Sequence, residues 1–153
     1  MAVRIVPVID DHAVALAATM RSEDVRECYR QGAESALDAV RYSISVSCDC
    51  WTCLMDGEVA GIFGVRAESI LTGTGSLWLL TSDLCDRRKV AFVKIAKRCL
   101  REIVSRWPRL SVGVDVHHDK ALRFAPAVGF VAAPGSYPHQ VTGEPMRHHV
   151  WGN

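Results

Sequence analysis

The chain has 153 residues, of which 49% are hydrophobic and 23% charged, a composition typical of a single folded domain spanning 1–153. Its 18 Lys and Arg nearly balance 17 Asp and Glu, so the net charge of +1 gives no overall field to attract nucleic acid or an anionic membrane. The N-terminus is too polar for a signal peptide, and no apolar stretch approaches the ~20 residues that span a bilayer. We therefore expect a cytoplasmic protein whose six Cys are reduced.

The first part of the chain predicts a strand followed by two helices. The β-branched run over 3–8 indicates a strand, and apolar residues at helical spacing indicate a helix over 10–20, capped by Asp10 or Asp11. Ser22 is predicted to cap the second helix. Glu23 and Asp24 would then lie at the positive end of its dipole.

The clearest local pattern is CWTCLMDGEVAGIFGV, in which two apolar runs flank Asp56 and Gly57. That dipeptide readily adopts the geometry of a tight turn, so we predict an antiparallel hairpin over 53–65. The following run over 76–83 is continuously apolar before it reaches polar residues, as in a central strand covered on both faces.

The second half of the chain predicts a long helix over 86–107 that ends at Pro108. A buried strand over 110–116 follows, and then a short helix over 119–128. The segment MRHHVW predicts a final strand. The predicted order of elements is βααβββαβαββ.

The stretch VDVHHDKALRFAPAVGF resembles the C-terminal signature of the GNAT acyl-CoA N-acyltransferases: a strand, Asn, two spacers, Ala, four residues to Tyr, then Gly-Phe. Ala121 and Gly129-Phe130 fit that spacing, and the element order resembles the family's over most of the chain. The resemblance implies an α/β fold with a mixed, mostly antiparallel central sheet flanked by helices. It also implies transfer of an acetyl group from acetyl-CoA to an amine or protein acceptor.

A narrower resemblance concerns the hairpin DGEVAGIFGV followed by SLWLLTSD. This combination is similar to a GNAT-like group encoded by short-tailed bacteriophages, some of whose members are virion-associated. It implies the host cytoplasm or a virion as the location, and virion proteins as partners.

The resemblance implies that acetyl-CoA lies along the central strand, with its pantetheine arm beside Leu79, Leu80, Thr81 and Ser82 and its phosphates near Arg87 and Arg88. The loop there reads TSDLCDRRK and departs from the family's glycine-rich pattern, since no glycine occurs over 76–112. Asp83 and Asp86 place negative charge where a pyrophosphate would lie. Two arginines at the helix start can offset that charge.

Two positions of the family's catalytic pattern are also changed. The usual Tyr falls on Ala125 and the usual Asn on His118. Because His titrates near neutral pH, His118 is a candidate acid or base, and the alternative is a polar residue at the sheet edge. If the last strand runs antiparallel beside the strand over 110–116, the pair His148-His149 would approach the pair His117-His118, with at most one His of each pair pointing into a given site. Ser82 either binds the substrate or only caps the next helix.

Cys48, Cys50 and Cys53 form a CDCWTC cluster. A structural zinc site needs four ligands, and this cluster offers three, so we predict that no metal binds and that the thiols belong to a strand. Two functions remain open from the sequence. One is acetyl-CoA-dependent N-acetyl transfer, and the other is a noncatalytic virion-associated or assembly role that retains the fold.

Overall fold

The computed structural model describes residues 1–152, which form one eight-stranded sheet with helices on both faces. The strands are β1 (Val3–Pro7), β2 (Asp49–Met55), β3 (Glu58–Ser69), β4 (Thr74–Thr81), β5 (Arg109–Asp115), β6 (Phe130–Ala132), β7 (Tyr137–Pro138) and β8 (Pro145–Trp151). The helices are α1 (Asp10–Thr19), α2 (Ser22–Arg30), α3 (Ala36–Ser45), α4 (Leu84–Arg87), α5 (Lys89–Arg106) and α6 (Asp119–Val128).

The strand order is β1-β2-β3-β4-β5-β8-β6, and β7 also pairs with β8. Of the described pairs, β4 with β5 is parallel and the others are antiparallel. This mixed, mostly antiparallel sheet confirms the predicted fold class. None of the described helices combines the length and apolar character needed to cross a membrane.

The hairpin prediction is confirmed by the β2–β3 pair. Met55 pairs with Glu58, and the turn residues Asp56 and Gly57 have φ angles of 51° and 81°. Both angles lie in the left-handed region that a two-residue turn of this kind requires, which Asp tolerates and Gly adopts freely.

Several boundaries differ from the sequence predictions. Neither Asp10 nor Asp11 caps α1, because its N-cap position is Ile9, and Ser22 is the first residue of α2 rather than its cap. The predicted helix over 86–107 is divided at Arg88, whose φ of −121° and ψ of 43° separate α4 from α5. Helix α3 was not predicted, although Ser35 caps it by accepting a hydrogen bond from the Asp38 N–H.

Apolar side chains bury the two faces of the sheet in separate clusters. On one face, α1, α2 and α3 pack on a cluster that includes Leu16 and Ile62, and Trp78 and Leu80 of β4 join it. On the other face, α5 and α6 pack on clusters that Leu77 and Leu79 join. Successive side chains of β4 therefore point to opposite helical layers, as alternation along a strand requires.

Candidate functional site: the opening between two parallel strands

The central feature of the sheet is an opening between β4 and β5. The two strands pair only at Thr74–Ser76 with Arg109–Ser111. Past Ser76, the rest of β4 has no ladder partner on the β5 side within the described chain. Strands that part in this way leave main-chain donors and acceptors open to a ligand.

The open groups can be assigned from the alternation of the β4 backbone. The Ser82 N–H donates to the Ala60 carbonyl of β3 at 2.8 Å, so the backbone groups of Leu79 and Thr81 point away from β3, toward β5. The Thr81 groups are already bound there, since its N–H donates to Asp24 at 2.8 Å and its carbonyl accepts from the Arg21 N–H at 2.9 Å. Leu79 is left with its N–H and carbonyl facing the opening.

A cleft of about 1150 Å³ occupies this opening and reaches both faces of the sheet. On the α5 side it is lined by Leu79, Phe92 and Phe124, and on the α2 side by Glu27 and Trp78. The volume suits a ligand larger than a typical drug molecule.

A buried carboxylate, Asp24 of α2, organises the end of β4 beside this cleft. Its two oxygens accept hydrogen bonds from the Thr81 N–H and hydroxyl at 2.8 Å each, from the Arg21 guanidinium at 3.1 Å, and from His118 Nε2 at 2.5 Å. Burial alone would raise the pKa of Asp24, but the His118 hydrogen bond and the Arg21 charge outweigh burial and lower this pKa. Asp24 is therefore ionised and joins α2 to β4 and α6.

His118 lies at the start of α6, where its Nδ1 accepts the Ala121 N–H at 3.2 Å. That bond leaves the ring proton on Nε2, which donates to Asp24. Burial would lower the pKa of His118, but the hydrogen bond to Asp24 and the charge of Glu27 outweigh burial and raise this pKa. Protonation would cost the Ala121 hydrogen bond, which opposes the shift. The candidate acid or base His118 thus lies beside the cleft, with its Nε2–H engaged in a hydrogen bond to Asp24.

Glu27, one turn beyond Asp24 on α2, has the chemistry of a general base. Its Oε2 lies 3.8 Å from His118 Nε2, its side chain is 20% exposed, and it lines the cleft. The pKa of Glu27 is raised to about 7, chiefly by burial; the charges of Asp24 and Asp115 act in the same direction, and His118 opposes them. A carboxyl that titrates near neutral pH can accept and release a proton under working conditions.

Thr81 and Ser82, which the sequence analysis placed beside the pantetheine arm, are buried and bound within the protein. Thr81 gives its N–H and hydroxyl to Asp24. The Ser82 hydroxyl lies within hydrogen-bond distance of the Val59 and Ala60 carbonyls and accepts the Leu84 N–H at 3.3 Å, although the N-cap position of α4 is Asp83 and not Ser82. Leu79 and Leu80 do line the cleft.

Arg87 and Arg88 are exposed just before α5 and make no ion pair with another described residue. Lys89 begins the helix beside them and lines the cleft. The negative charge of Asp86, which was expected to oppose a bound anion, is balanced by two ion pairs. Its carboxylate accepts hydrogen bonds from Arg21 at 3.1 Å and from Lys120 at 2.6 Å. The helix start therefore presents positive charge and free amides.

The two His pairs do not form one group. As predicted, β8 runs antiparallel to β5, with His148 opposite Gly113. The His148 ring packs edge-on against Tyr137 at 6.1 Å, and the buried His149 leaves its Nδ1 without a hydrogen-bond partner among residues 1–152. Neither ring is hydrogen-bonded to His118 in the described chain, so the predicted approach of these pairs does not build a shared site.

In the cysteine cluster, Cys50 and Cys53 lie on β2, and burial raises the pKa of each thiol to about 11. Such thiols stay protonated at neutral pH, which disfavours metal binding. No group of three or more metal-ligating side chains occurs within the described residues. The absence of zinc stays a prediction.

Arg21, Asp24 and Glu27 were not predicted as a group from the sequence. The available signal was their spacing of three residues at and beyond the start of α2, whereas only Glu23 and Asp24 were interpreted, as complements of the helix dipole. Their partners Thr81 and His118 lie 57 and 94 residues from Asp24, beyond any local pattern.

Solved structures of acetyltransferases share this fold. A GNAT-family acetyltransferase from Bacillus anthracis has a TM-score of 0.72 at 11% identity, over 98% of this chain and 94% of that one. RimL, a ribosomal-protein alpha-N-acetyltransferase solved with coenzyme A, gives 0.70 at 9%, over 98% and 93%. A variant of the spermidine N-acetyltransferase SpeG from Vibrio cholerae gives 0.66 at 9%, over 97% and 92%.

No protein-family model matches the chain, and no curated protein sequence matches it either. At these low identities the structural likeness establishes the fold. The chain has the GNAT N-acetyltransferase fold, with an opening at β4–β5 that its own backbone leaves unpaired.

Proposed function

We propose that the protein is an N-acetyltransferase that moves the acetyl group of acetyl-CoA to an amine. The observation that carries the proposal is the β4–β5 opening, where the free backbone groups of Leu79 face a cleft that also holds Glu27. An extended amide chain such as pantetheine can add to an unpaired strand through main-chain hydrogen bonds.

The donor would lie along β4, with its pantetheine arm against Leu79 and its phosphates at the start of α5. Because the segment between β4 and α5 lacks glycine and forms the short helix α4, its backbone cannot wrap closely around a pyrophosphate. Side chains must then supply more of the affinity. We infer that Arg87, Arg88 and Lys89 do so: Lys89 lines the cleft, Arg87 and Arg88 are exposed next to it in the chain, and none of the three has a carboxylate partner among residues 1–152.

The reaction requires a neutral amine, and Glu27 is the group that would deprotonate it. The amine nitrogen then attacks the thioester carbonyl carbon and the C–N bond forms. As the C–S bond breaks, the nitrogen gives its second proton to water and the CoA thiolate takes up a proton from water, so the products are the amide and the CoA thiol. His118 donates an Nε2–H hydrogen bond to Asp24 and lies 3.8 Å from the Glu27 carboxylate, so it acts by lowering the pKa of Glu27 against the effect of burial. In this proposal His118 is a positioning residue.

Suitable acceptors for a first assay are spermidine and a peptide with a free α-amino group, because two structural neighbours are named for acetylation of these kinds of substrate. Release of free CoA thiol is the readout. Acceptor-dependent thiol release that saturates with acetyl-CoA supports the proposal.

Replacing Arg87 and Arg88 together with Ala is expected to weaken acetyl-CoA binding at least about tenfold, since each charge-assisted phosphate hydrogen bond contributes roughly 1.5 to 3 kcal/mol. Isothermal titration calorimetry measures the change. The matched control is Arg98→Ala with Arg101→Ala, which removes the same charge from the exposed face of the same helix. Equal affinity in the two double variants would rule out a phosphate site at Arg87 and Arg88.

A second candidate is a noncatalytic, virion-associated protein of a short-tailed bacteriophage that keeps the fold. Two observations favour it. The loop before α5 has no glycine, and the Thr81 backbone groups at the end of the opening are already bound to Asp24 and Arg21. In this case the protein would act in the host cytoplasm or in the particle, and its partners would be virion proteins. Failure to bind acetyl-CoA would favour this candidate.

A further inference from the structure

Tyr137 of β7 places an unused hydroxyl at the β4–β5 opening. Its ring lines the cleft, and its hydroxyl makes no hydrogen bond with any residue of the described chain. A Cβ built on Gly113 of β5 would clash with that hydroxyl oxygen, so the oxygen fills the space that a side chain at 113 would take. Gly113 lies two residues past Ser111, the last residue of β5 that pairs with β4. The hydroxyl is therefore at the point where the strands separate.

The hydroxyl lies on the same face of the sheet as the proposed base. Asp115, two residues after Gly113, binds Arg30 of α2 at 2.9 Å, and alternation directs Gly113 to that same face. Glu27 is on α2 as well. The ring is oriented by the edge-on contact with His148 and by the pairing of Tyr137 with Met146. A base and a hydrogen-bond donor thus line the cleft on the same side of the sheet.

The α6 position that would carry a tyrosine in the resemblance is Ala125, which is buried in the core and offers no donor. On the α2 side of the sheet, the hydrogen-bond donor is instead the hydroxyl of Tyr137, which lies on β7. Burial raises the pKa of Tyr137, and the nearby charge of Glu68 raises it further. The phenol consequently keeps its proton throughout the working range of pH.

We propose that Tyr137 is a catalytic residue that donates a hydrogen bond to the thioester carbonyl oxygen as the amine adds to it. This inference rests on the proposed acetyl transfer. When the C–N bond forms, the carbonyl oxygen gains negative charge, and a preorganised donor stabilises that charge without giving up its proton. When the C–S bond breaks, the carbonyl re-forms and the charge leaves on the thiolate, which water protonates. Gly113 is required because any side chain there displaces the donor.

The test compares Tyr137→Phe with Tyr29→Phe, since Tyr29 is exposed on α2 and does not line the cleft. Thiol release from acetyl-CoA with spermidine or the amino-terminal peptide is measured. Tyr137→Phe is expected to lower kcat about 10²-fold with little change in the KM for acetyl-CoA, and Tyr29→Phe to leave both unchanged. Unchanged kcat in Tyr137→Phe would overturn the inference and leave the proposed function standing.

A double-mutant cycle separates this role from a structural one. Gly113→Ala should also lower kcat, because the new methyl group moves the hydroxyl. If Gly113 acts through Tyr137, then Gly113→Ala combined with Tyr137→Phe loses no more than Tyr137→Phe alone. Additive losses would contradict the assignment.

A readout independent of turnover uses 3-fluorotyrosine and ¹⁹F NMR, with the three Tyr signals assigned by Tyr→Phe variants. Saturation with acetyl-CoA is expected to shift the Tyr137 signal and leave the Tyr29 signal unchanged. If calorimetry shows that acetyl-CoA binds but the Tyr137 signal does not shift, the contact between Tyr137 and acetyl-CoA is refuted and the proposed acetyl-CoA site stands. No binding by calorimetry would remove both this inference and the proposed function.

Discussion

Replacing Asp24 with Ala is expected to lower the free energy of unfolding by about 3 to 5 kcal/mol, the range found when one partner of a buried charge network is removed. The Asp24 side chain is 4% exposed. Its loss leaves the Arg21 guanidinium, the Thr81 N–H and the His118 ring without their shared acceptor. In a domain of this size the transition temperature should fall on the order of 10 °C.

Thermal unfolding followed by circular dichroism measures this effect. The matched control is Asp10→Ala, which removes a carboxylate from an exposed ion pair with Arg41. Surface pairs contribute little, so this variant should unfold close to the unmodified protein. If the two variants have the same transition temperature, Asp24 does not hold α2, β4 and α6 together.

Replacing Glu27 with Gln is expected to reduce kcat/KM about 10²-fold or more, because the general base is lost while size and shape are kept. The unmodified enzyme should gain activity as pH rises through about 7, where Glu27 ionises. The variant should lack that rise. A variant with full activity and an unchanged pH profile would show that Glu27 does not accept the amine proton.

The same substitution has an opposite effect on stability. The folded-state pKa of Glu27 is raised from 4.5 to about 7, which means that the folded protein favours the protonated carboxyl. The stability gained from this protonated form is therefore fully present below about pH 4.5 and is lost as pH rises through 7. Gln does not titrate. At pH 4 the two proteins should therefore unfold alike, whereas at pH 8.5 the variant should be more stable, by up to an amount on the order of 3 kcal/mol. Urea unfolding at both pH values measures the difference, and a variant that is less stable at pH 8.5 would contradict the raised pKa.

The parts of the fold that were predicted from the sequence are those specified by neighbouring residues. Asp56-Gly57 sets the hairpin because two adjacent residues supply its left-handed turn. The strand β5 and the helix α6 follow from apolar periodicity and from Gly129, which ends the helix at a φ of 121°. Helix α3 was missed although Leu37, Val40 and Ile44 follow helical spacing and pack on the cluster under α1 and α2, so its local pattern was sufficient to predict it.

The candidate site could not be predicted to the same degree because tertiary contacts create it. Asp24 and Glu27 are both acidic and lie three residues apart on α2. In the structure, positive partners lower the pKa of Asp24, while burial raises that of Glu27. Tyr137 is likewise defined by its contact with Gly113, which lies on a different strand. Such differences depend on distances between elements, which periodicity does not encode.

The central claim is that the β4–β5 opening binds the acyl donor, and titration of the unmodified protein with acetyl-CoA in a calorimeter tests it most directly. We expect an equimolar complex with a dissociation constant within about 1 μM to 1 mM, the range usual for enzyme substrates. Replacement of Arg87 and Arg88 should weaken this complex, whereas replacement of Arg98 and Arg101 should not. No heat of binding at millimolar acetyl-CoA would contradict the account and leave the noncatalytic role as the better explanation of the fold.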